Sequence, residues 1–120
     1  MTKATDPQRH AFLMTLNNPL DHGSDHTEIK KRLIENFTTL EFFCMADEIG
    51  EQGTPHTHVY VYFSSRVRFS TVKKHFPSAH IDAALGSPQN NIEYVKKSGK
   101  WKETKKAETS VKGTYEEWGN

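Results

Sequence analysis

The sequence has 120 residues, which suits one compact domain with a single hydrophobic core. Hydrophobic residues make up 34% of it and charged residues 26%, an ordinary composition for a globular protein. No apolar run approaches the roughly 20 residues that a membrane helix needs, and the N-terminus lacks a stretch of signal-peptide type. Cys44 is the only cysteine, which excludes an internal disulfide and fits a reducing compartment.

Charge is unevenly distributed along the chain. The formal net charge is only +1, so composition alone does not indicate nucleic-acid binding. The segment from Lys96 to Lys106, however, carries six lysines and one glutamate. A local basic stripe of this kind can follow phosphates, although a solvated tail would have the same composition.

The first part of the chain predicts a strand followed by a helix. His10–Leu16 is an apolar run that ends at a turn-forming stretch, 17–19, so it is predicted to be a buried strand. The helix begins after Asp25, which can act as its cap, and Glu28 three residues later can return that cap. The apolar residues repeat at helical spacing, as Ile29, Leu33 and Phe37.

Two strands come next, joined by a short loop. Leu40–Ala46 is apolar, and His56–Phe63 is rich in β-branched and aromatic residues. The stretch between them, Asp47–Pro55, contains two glycines and a proline and is predicted to be a loop. Because the loop is short, the two strands are expected to pair as an antiparallel hairpin.

The remaining elements complete an α+β fold. A short amphipathic helix is predicted at 69–76, a short strand at Ala79–Ala83, and a helix between Ser87–Pro88 and Gly99. This order is the split βαβ pattern of a ferredoxin-like sandwich, an antiparallel sheet covered by helices. We therefore predict one domain over 1–102, and a polar tail or linker over 103–120 that leads into a part absent from this chain.

His56 and His58 are two residues apart on a predicted strand, so their side chains share one face of the sheet. Imidazole is a common metal ligand, and the hairpin could bring Glu48 beside both histidines. Two imidazoles and a carboxylate leave open positions on an octahedral ion, as phosphoryl transfer requires. The plainer alternative is a pair of polar residues on a solvated sheet face, with Glu48 as one of several acidic loop residues.

Tyr94 and Lys97 are three residues apart on the last predicted helix and therefore share a face. Ile92 and Val95 lie on another side, which is predicted to pack against the core. A tyrosine off the core and next to a lysine can be a nucleophile, and the lysine can hold a phosphate or stabilise the tyrosinate. An ordinary surface tyrosine would give the same pattern.

The combination resembles the HUH endonuclease domain of the replication initiator (Rep) proteins of small circular single-stranded DNA viruses, such as geminiviruses and circoviruses, and of related rolling-circle plasmids. Phe12–Pro19, FLMTLNNP, is similar to the first motif of that family. Thr54–Val61, TPHTHVYV, is similar to the second, with Thr57 in place of the usual bulky apolar residue. Tyr94–Gly99, YVKKSG, matches the third, and Glu48 matches the carboxylate ligand.

The resemblance implies a sequence-specific endonuclease that nicks and joins single-stranded DNA at a replication origin. It implies Glu48, His56 and His58 as ligands of Mg²⁺ or Mn²⁺, and a covalent 5′-phosphotyrosine intermediate on Tyr94 with Lys97 as its catalytic partner. We assign DNA binding to six further residues, namely Asn17, Asn18, Arg66, Arg68, Lys96 and Lys100.

The resemblance also implies a place in the cell and partners beyond the DNA. It implies an intracellular protein without a membrane anchor, in the host nucleus for a eukaryotic virus or in the cytoplasm for a bacterial plasmid or phage. The resemblance further implies that the tail or linker over 103–120 leads toward a helicase domain absent from this chain, through which any oligomer is expected to form.

Two other readings of the residues remain open. The first is a non-catalytic single-stranded nucleic-acid-binding module of the RNA-recognition type, which also presents aromatic strands on a ferredoxin-like sheet. The second is a zinc site, structural or hydrolytic, because two histidines and a glutamate also suit Zn²⁺. Neither reading gives Tyr94 and Lys97 a function.

Overall fold

The computed structural model describes residues 6–50, 52–98 and 110–119 of the chain. The elements in chain order are β1 (Gln8–Asn17), a 3-10 helix (Pro19–His22), α1 (His26–Asn36), β2 (Leu40–Ile49), β3 (Pro55–Arg68), α2 (Phe69–His75), β4 (His80–Ala83), α3 (Pro88–Lys96) and β5 (Glu116–Gly119). The strands form an antiparallel sheet in the order β4-β1-β3-β2-β5. Because β3 lies between β1 and β2, the predicted α+β fold with a split βαβ unit is confirmed.

The sheet has two covered faces, and strand alternation determines which side chains reach each one. On the first, which we call the core face, side chains of the three central strands pack against α1 and α2; the buried set includes Phe12, Met14, Phe43, Met45, Val59, Val61, Ile29, Leu33 and Val72. On the second, the α3 face, a smaller cluster contacts α3 and comprises Phe42, Cys44, Ala46, Tyr60 and Val95. Within the described residues, no helix is long and apolar enough to cross a membrane.

The predicted helix caps are present at both long helices. Asp25 caps α1 by accepting a hydrogen bond from the Glu28 backbone N–H at 2.8 Å. The Glu28 side chain does not return the cap as expected, and instead accepts a hydrogen bond from Arg32 at 3.2 Å. Ser87 caps α3 by accepting from the Asn90 N–H at 3.1 Å. The proposed stop at Gly99 lies outside the described residues.

A short strand lies in the segment that the sequence predicts to be a polar tail. β5 pairs with the outer edge of β2, and Trp118 stacks on Phe43 with ring centroids 5.7 Å apart. Gly119 has a φ of +90°, and a Cβ there would collide with the Glu41 carbonyl. With only four residues, two of them glutamates, β5 has no hydrophobic period that would predict it, although it covers an otherwise open sheet edge.

Candidate metal centre and active site

The β2–β3 hairpin brings Glu48, His56 and His58 together on the α3 face. Glu48 lies directly opposite His56 in the strand register, and His58 follows two residues later on the same face. The Glu48 carboxylate oxygens are 3.6 Å from His56 Nε2 and 3.2 Å from His58 Nε2. One ligand atom from each residue lies within 4.8 Å of the others. These three residues are therefore placed to act as one set of donors.

The distances from Glu48 to the two histidines are close to those between donors around one divalent ion. With metal–donor distances of about 2.1 Å, neighbouring donors around one ion lie roughly 3.0–3.4 Å apart. The separations of 3.2 and 3.6 Å that Glu48 makes with His58 and His56 are close to that range. The donor set contains neutral nitrogen and anionic oxygen, which suits Mg²⁺ or Mn²⁺ as well as Zn²⁺.

Thr15 orients one of the histidines, and the sequence analysis did not single it out. Its hydroxyl lies 3.2 Å from His58 Nδ1, and the two residues are direct partners between β1 and β3. When Nε2 is left unprotonated for a metal, Nδ1 carries the proton, and its N–H donates a hydrogen bond to the Thr15 hydroxyl oxygen. A polar residue within the apolar run Phe12–Leu16 was the available signal.

Helix α3 brings Tyr94 beside the histidines. Its ring lies edge-on to His58, with centroids 5.6 Å apart and an interplanar angle of 74°. Val95, the next residue, is buried against the sheet and fixes the rotation of the helix. Tyr94 itself is half-buried at the border of that cluster. The tyrosine therefore lies next to the candidate metal ligands.

Lys97 reaches the site from the C-terminal cap of α3 rather than from its helical face. The helix ends at Lys96, and Lys97 has a left-handed backbone with a φ of 57°. Its Nζ donates to Glu48 Oε2 at 2.6 Å and to the Tyr94 carbonyl at 2.7 Å. The same ammonium lies 4.0 Å from the centroid of the Tyr94 ring. Left-handed conformations are costly for a residue with a Cβ and often occur at functional sites.

The Lys97–Glu48 pair is removed from water. The side chains are 2% and 6% exposed, so the attraction is screened little by solvent. Any metal that Glu48 bound would lie close to this ammonium. Lys97 can therefore hold the carboxylate in place, and it competes for the same oxygen.

A cavity of about 350 Å³ opens beside Glu48 and His56. Asn18, Pro19 and Leu20 form part of its wall. Leu20 is 77% exposed, so this part of the rim is apolar.

Two of the candidate DNA-binding residues lie at the same end of the sheet as the metal ligands. Asn17 is the register partner of His56, and the Asn18 N–H donates to the Pro55 carbonyl at 2.8 Å. Both asparagines are exposed. Their side chains are thus available at the entrance to the site.

The candidate basic residues are more widely spread. Lys96 is exposed at the end of α3, with its Nζ 5.1 Å from the centroid of the Tyr115 ring. Arg66 and Arg68 are exposed at the far end of β3, about 26 and 33 Å along the strand from His58 at ~3.3 Å per residue. The structure does not bring these arginines to the metal ligands. Lys100 lies outside the described residues.

Residues 9–98 match the model of a protein family described as "Putative viral replication protein". The chain is 41% identical over 95 residues to the replication-associated protein of canary circovirus, 39% over 90 residues to that of beak and feather disease virus, and 34% over 101 residues to that of porcine circovirus 1. The three alignments cover 79%, 73% and 82% of this chain, respectively.

The same alignments cover 30%, 29% and 31% of the relatives, so the chain spans a little under a third of their length. Glu48, His56, His58, Tyr94 and Lys97 all fall inside the family match, whereas β5 falls outside it. The match bears out the resemblance that the three motifs indicated. The chain belongs to the family of replication proteins of small single-stranded DNA viruses.

Proposed function

We propose that this chain is an origin-nicking endonuclease domain, which cuts one strand of DNA through a covalent bond to Tyr94. The observation that carries the proposal is the convergence of a carboxylate, two imidazoles, a phenol and an ammonium at one end of the α3 face. A module that only binds nucleic acid would have no use for a nucleophile beside a metal-ligand set.

In the proposed step, the Tyr94 phenolic oxygen attacks the scissile phosphorus and loses its proton to solvent. The bond from phosphorus to the 3′ oxygen breaks, and that oxygen takes up a proton to become a 3′-OH that can prime synthesis. The 5′ phosphate stays on Tyr94, and attack by a later 3′-OH reverses the step and joins strands. No energy source is required, because one phosphoester replaces another.

The side chains of the site have distinct proposed functions in this step. Protonated phenols attack poorly, and Lys97, 4.0 Å from the ring centroid, stabilises negative charge as it develops on the phenol. Glu48, His56 and His58 would hold Mg²⁺ or Mn²⁺, which supplies Lewis-acid polarisation of the phosphate. Thr15 keeps the ring of His58 turned toward that position.

The substrate proposed for the site is a single strand of origin DNA. An exposed backbone is needed for Tyr94 to approach the phosphorus in line, and a single strand provides it. We propose that Asn17 and Asn18 contact nucleotides at the cavity beside His56, and that Lys96 contacts a phosphate. Arg66 and Arg68, if they bind DNA, would contact a part of it remote from the nick.

Covalent capture tests the proposal directly. An end-labelled single strand containing the viral origin, incubated with the chain and Mn²⁺, should remain attached to the protein on a denaturing gel. Attachment should disappear when EDTA removes the metal. Free cleavage products without a protein adduct would instead indicate a hydrolytic metal site, and an intact strand would indicate a binding module.

Replacing Lys97 with methionine should have opposite effects on metal binding and on chemistry. The substitution keeps the apolar stem and removes an ammonium that lies 2.6 Å from the Glu48 carboxylate. Since that ammonium competes with the metal and repels it, we expect Mn²⁺ to bind about tenfold more tightly or better. Adduct formation should slow by about 10- to 100-fold because charge on the phenol is no longer stabilised.

Lys96→Met is the matched control for the metal titration, because Lys96 is the adjacent lysine but its ammonium lies over the Tyr115 ring, away from Glu48. Calorimetric titration with Mn²⁺ and single-turnover capture would measure the two effects separately. An unchanged or weaker Mn²⁺ affinity in Lys97→Met would show that the lysine does not oppose the metal.

A further inference from the structure

A second polar network lies on the core face, directly behind the candidate metal ligands. His26, the first residue of α1, places Nε2 2.7 Å from Asp47 Oδ1 and Nδ1 2.8 Å from Glu116 Oε2. The same Asp47 oxygen accepts a hydrogen bond from the Thr57 hydroxyl at 2.8 Å. We call these four residues, His26, Asp47, Thr57 and Glu116, the His26 brace. It connects α1, β2, β3 and β5.

The brace is held by charge as well as by hydrogen bonds. Both ring nitrogens of His26 face carboxylate oxygens, so both must carry a proton for the two contacts to be hydrogen bonds. Burial alone would lower the pKa of His26, but the hydrogen bonds and charges of Asp47 and Glu116 outweigh it and raise the pKa. Charge-assisted hydrogen bonds of this kind are stronger than neutral ones.

The brace and the metal ligands occupy the same few residues of the hairpin. Asp47 and Thr57 are direct partners in the register, next to the pair formed by Glu48 and His56. Thr57 also separates the two histidines, His56 and His58. Neighbouring residues of a strand point to opposite faces, so the two pairs lie on opposite sides of the same two strands. A shift of β2 relative to β3 that separates Asp47 from Thr57 therefore also moves Glu48 away from the imidazoles.

The backbone of Asp47 is fixed from the outer edge of the sheet. Its N–H donates to the Thr114 hydroxyl at 2.9 Å, and its carbonyl accepts from the Val111 N–H at 2.9 Å. Glu48 forms an isolated antiparallel bridge with Ser110. The segment before β5, which lies beyond the family match, therefore contacts the strand that carries the candidate carboxylate ligand.

We propose that the His26 brace positions Glu48 relative to His56 and His58, so that divalent-metal affinity depends on residues of the opposite face and on the C-terminal segment. This inference rests on the metal centre of the proposed function. Its members are positioning residues, because none of them belongs to the candidate metal-ligand set. If the brace had only a structural role, substitutions in it would lower the melting temperature but would leave the metal affinity of the folded chain unchanged.

The test is the affinity of the folded chain for Mn²⁺ alone, measured by calorimetry well below the melting temperature. Thr57→Val keeps the buried volume and β-branching while it removes the hydroxyl that Asp47 accepts from. We expect Mn²⁺ to bind about tenfold more weakly, at the lower end of the 10- to 100-fold effects of residues that orient ligands. Thr57→Ser retains a hydroxyl and should restore most of the affinity.

Glu116→Gln provides a second variant that should fold readily, because Glu116 is a partly exposed residue of an edge strand. It weakens the outer half of the brace and should reduce Mn²⁺ affinity several-fold. Ser70→Ala is the matched control, since it also removes a hydroxyl bonded to an aspartate, Asp6, at 2.7 Å, but at the other end of the sheet. The Mn²⁺ affinity of Ser70→Ala should equal that of the unmodified chain.

The outcomes separate the two proposals. If Thr57→Val and Glu116→Gln bound Mn²⁺ as tightly as the unmodified chain, the proposed role of the His26 brace would be wrong, and the proposed metal centre would be unaffected. Failure of the unmodified chain to bind Mn²⁺ would overturn the metal centre, and the brace with it. A loss confined to the brace variants, with Ser70→Ala unaffected, would support both.

Discussion

Tyr94→Phe should eliminate both the covalent adduct and the nick, by a factor on the order of 10⁴ or more, as expected when a covalent enzyme loses its nucleophile. The phenylalanine ring keeps the edge-on contact with His58 and the contact with the Lys97 ammonium, so the site should retain its shape. Melting temperature, Mn²⁺ affinity and single-strand affinity should therefore match those of the unmodified chain. Single-turnover capture with a labelled origin strand measures the loss.

Tyr115→Phe is the control for this substitution. Tyr115 lies near the same helix, under Lys96, but burial and its hydrogen bond to Glu117 raise its pKa, so it is a poor nucleophile. Tyr60 is also unsuited, because burial raises its pKa to about 12. If Tyr115→Phe abolished the adduct and Tyr94→Phe retained it, the assignment of the nucleophile would be wrong.

His58→Ala should lower Mn²⁺ affinity by about 100-fold or more and thereby abolish cleavage. It removes one of three donors, and the two that remain, Glu48 and His56, are 3.6 Å apart with Lys97 already bonded to the carboxylate. Metal sites with two protein ligands hold divalent ions weakly. The fold should persist, since β3 keeps its register through backbone hydrogen bonds and through Val59 and Val61.

His80→Ala controls for the loss of an imidazole near a carboxylate. His80 pairs with Asp82 at 3.0 Å on the surface, where both side chains are largely exposed. This variant should bind Mn²⁺ and form adduct normally. Undiminished Mn²⁺ affinity in His58→Ala, or full activity in EDTA, would contradict the proposed metal centre.

The central geometry was predictable from the sequence because it depends on local pairing. A short loop between two apolar strands predicts an antiparallel hairpin, and the hairpin places Glu48 opposite His56. Alternation along the strand then puts His58 on the same face. The helical period of α3 predicted that Val95 packs against the sheet and that Tyr94 lies off that face. Only the family resemblance implied that Tyr94 lies beside the histidines.

Other parts of the structure depend on contacts between residues distant in the chain. His26 contacts Asp47 and Glu116, which are 21 and 90 residues away in the sequence, and no local pattern indicates such a pairing. β5 adopts a strand because β2 offers an unpaired edge. Lys97 enters the site through a left-handed cap that a helical-wheel argument does not anticipate.

The length of β3 decides the placement of the two arginines. The sequence predicted an end at Phe63, near a serine pair, but pairing with β1 continues to Arg68. Arg66 and Arg68 are therefore carried away from the catalytic end of the strand. A strand end is set by its partner as much as by its own residues, which is why the sequence alone did not place these arginines.

The most direct test of the central claim is the identity of the tyrosine that carries the nucleotide. Cleavage after lysine and arginine separates Tyr94, on peptide 75–96, from Tyr60 and Tyr62, on 33–66, and from Tyr115, on 113–120. After reaction with an origin strand and Mn²⁺, then nuclease digestion, mass spectrometry should find the nucleotide on peptide 75–96. A nucleotide on either of the other peptides, or on none of them, would contradict the account.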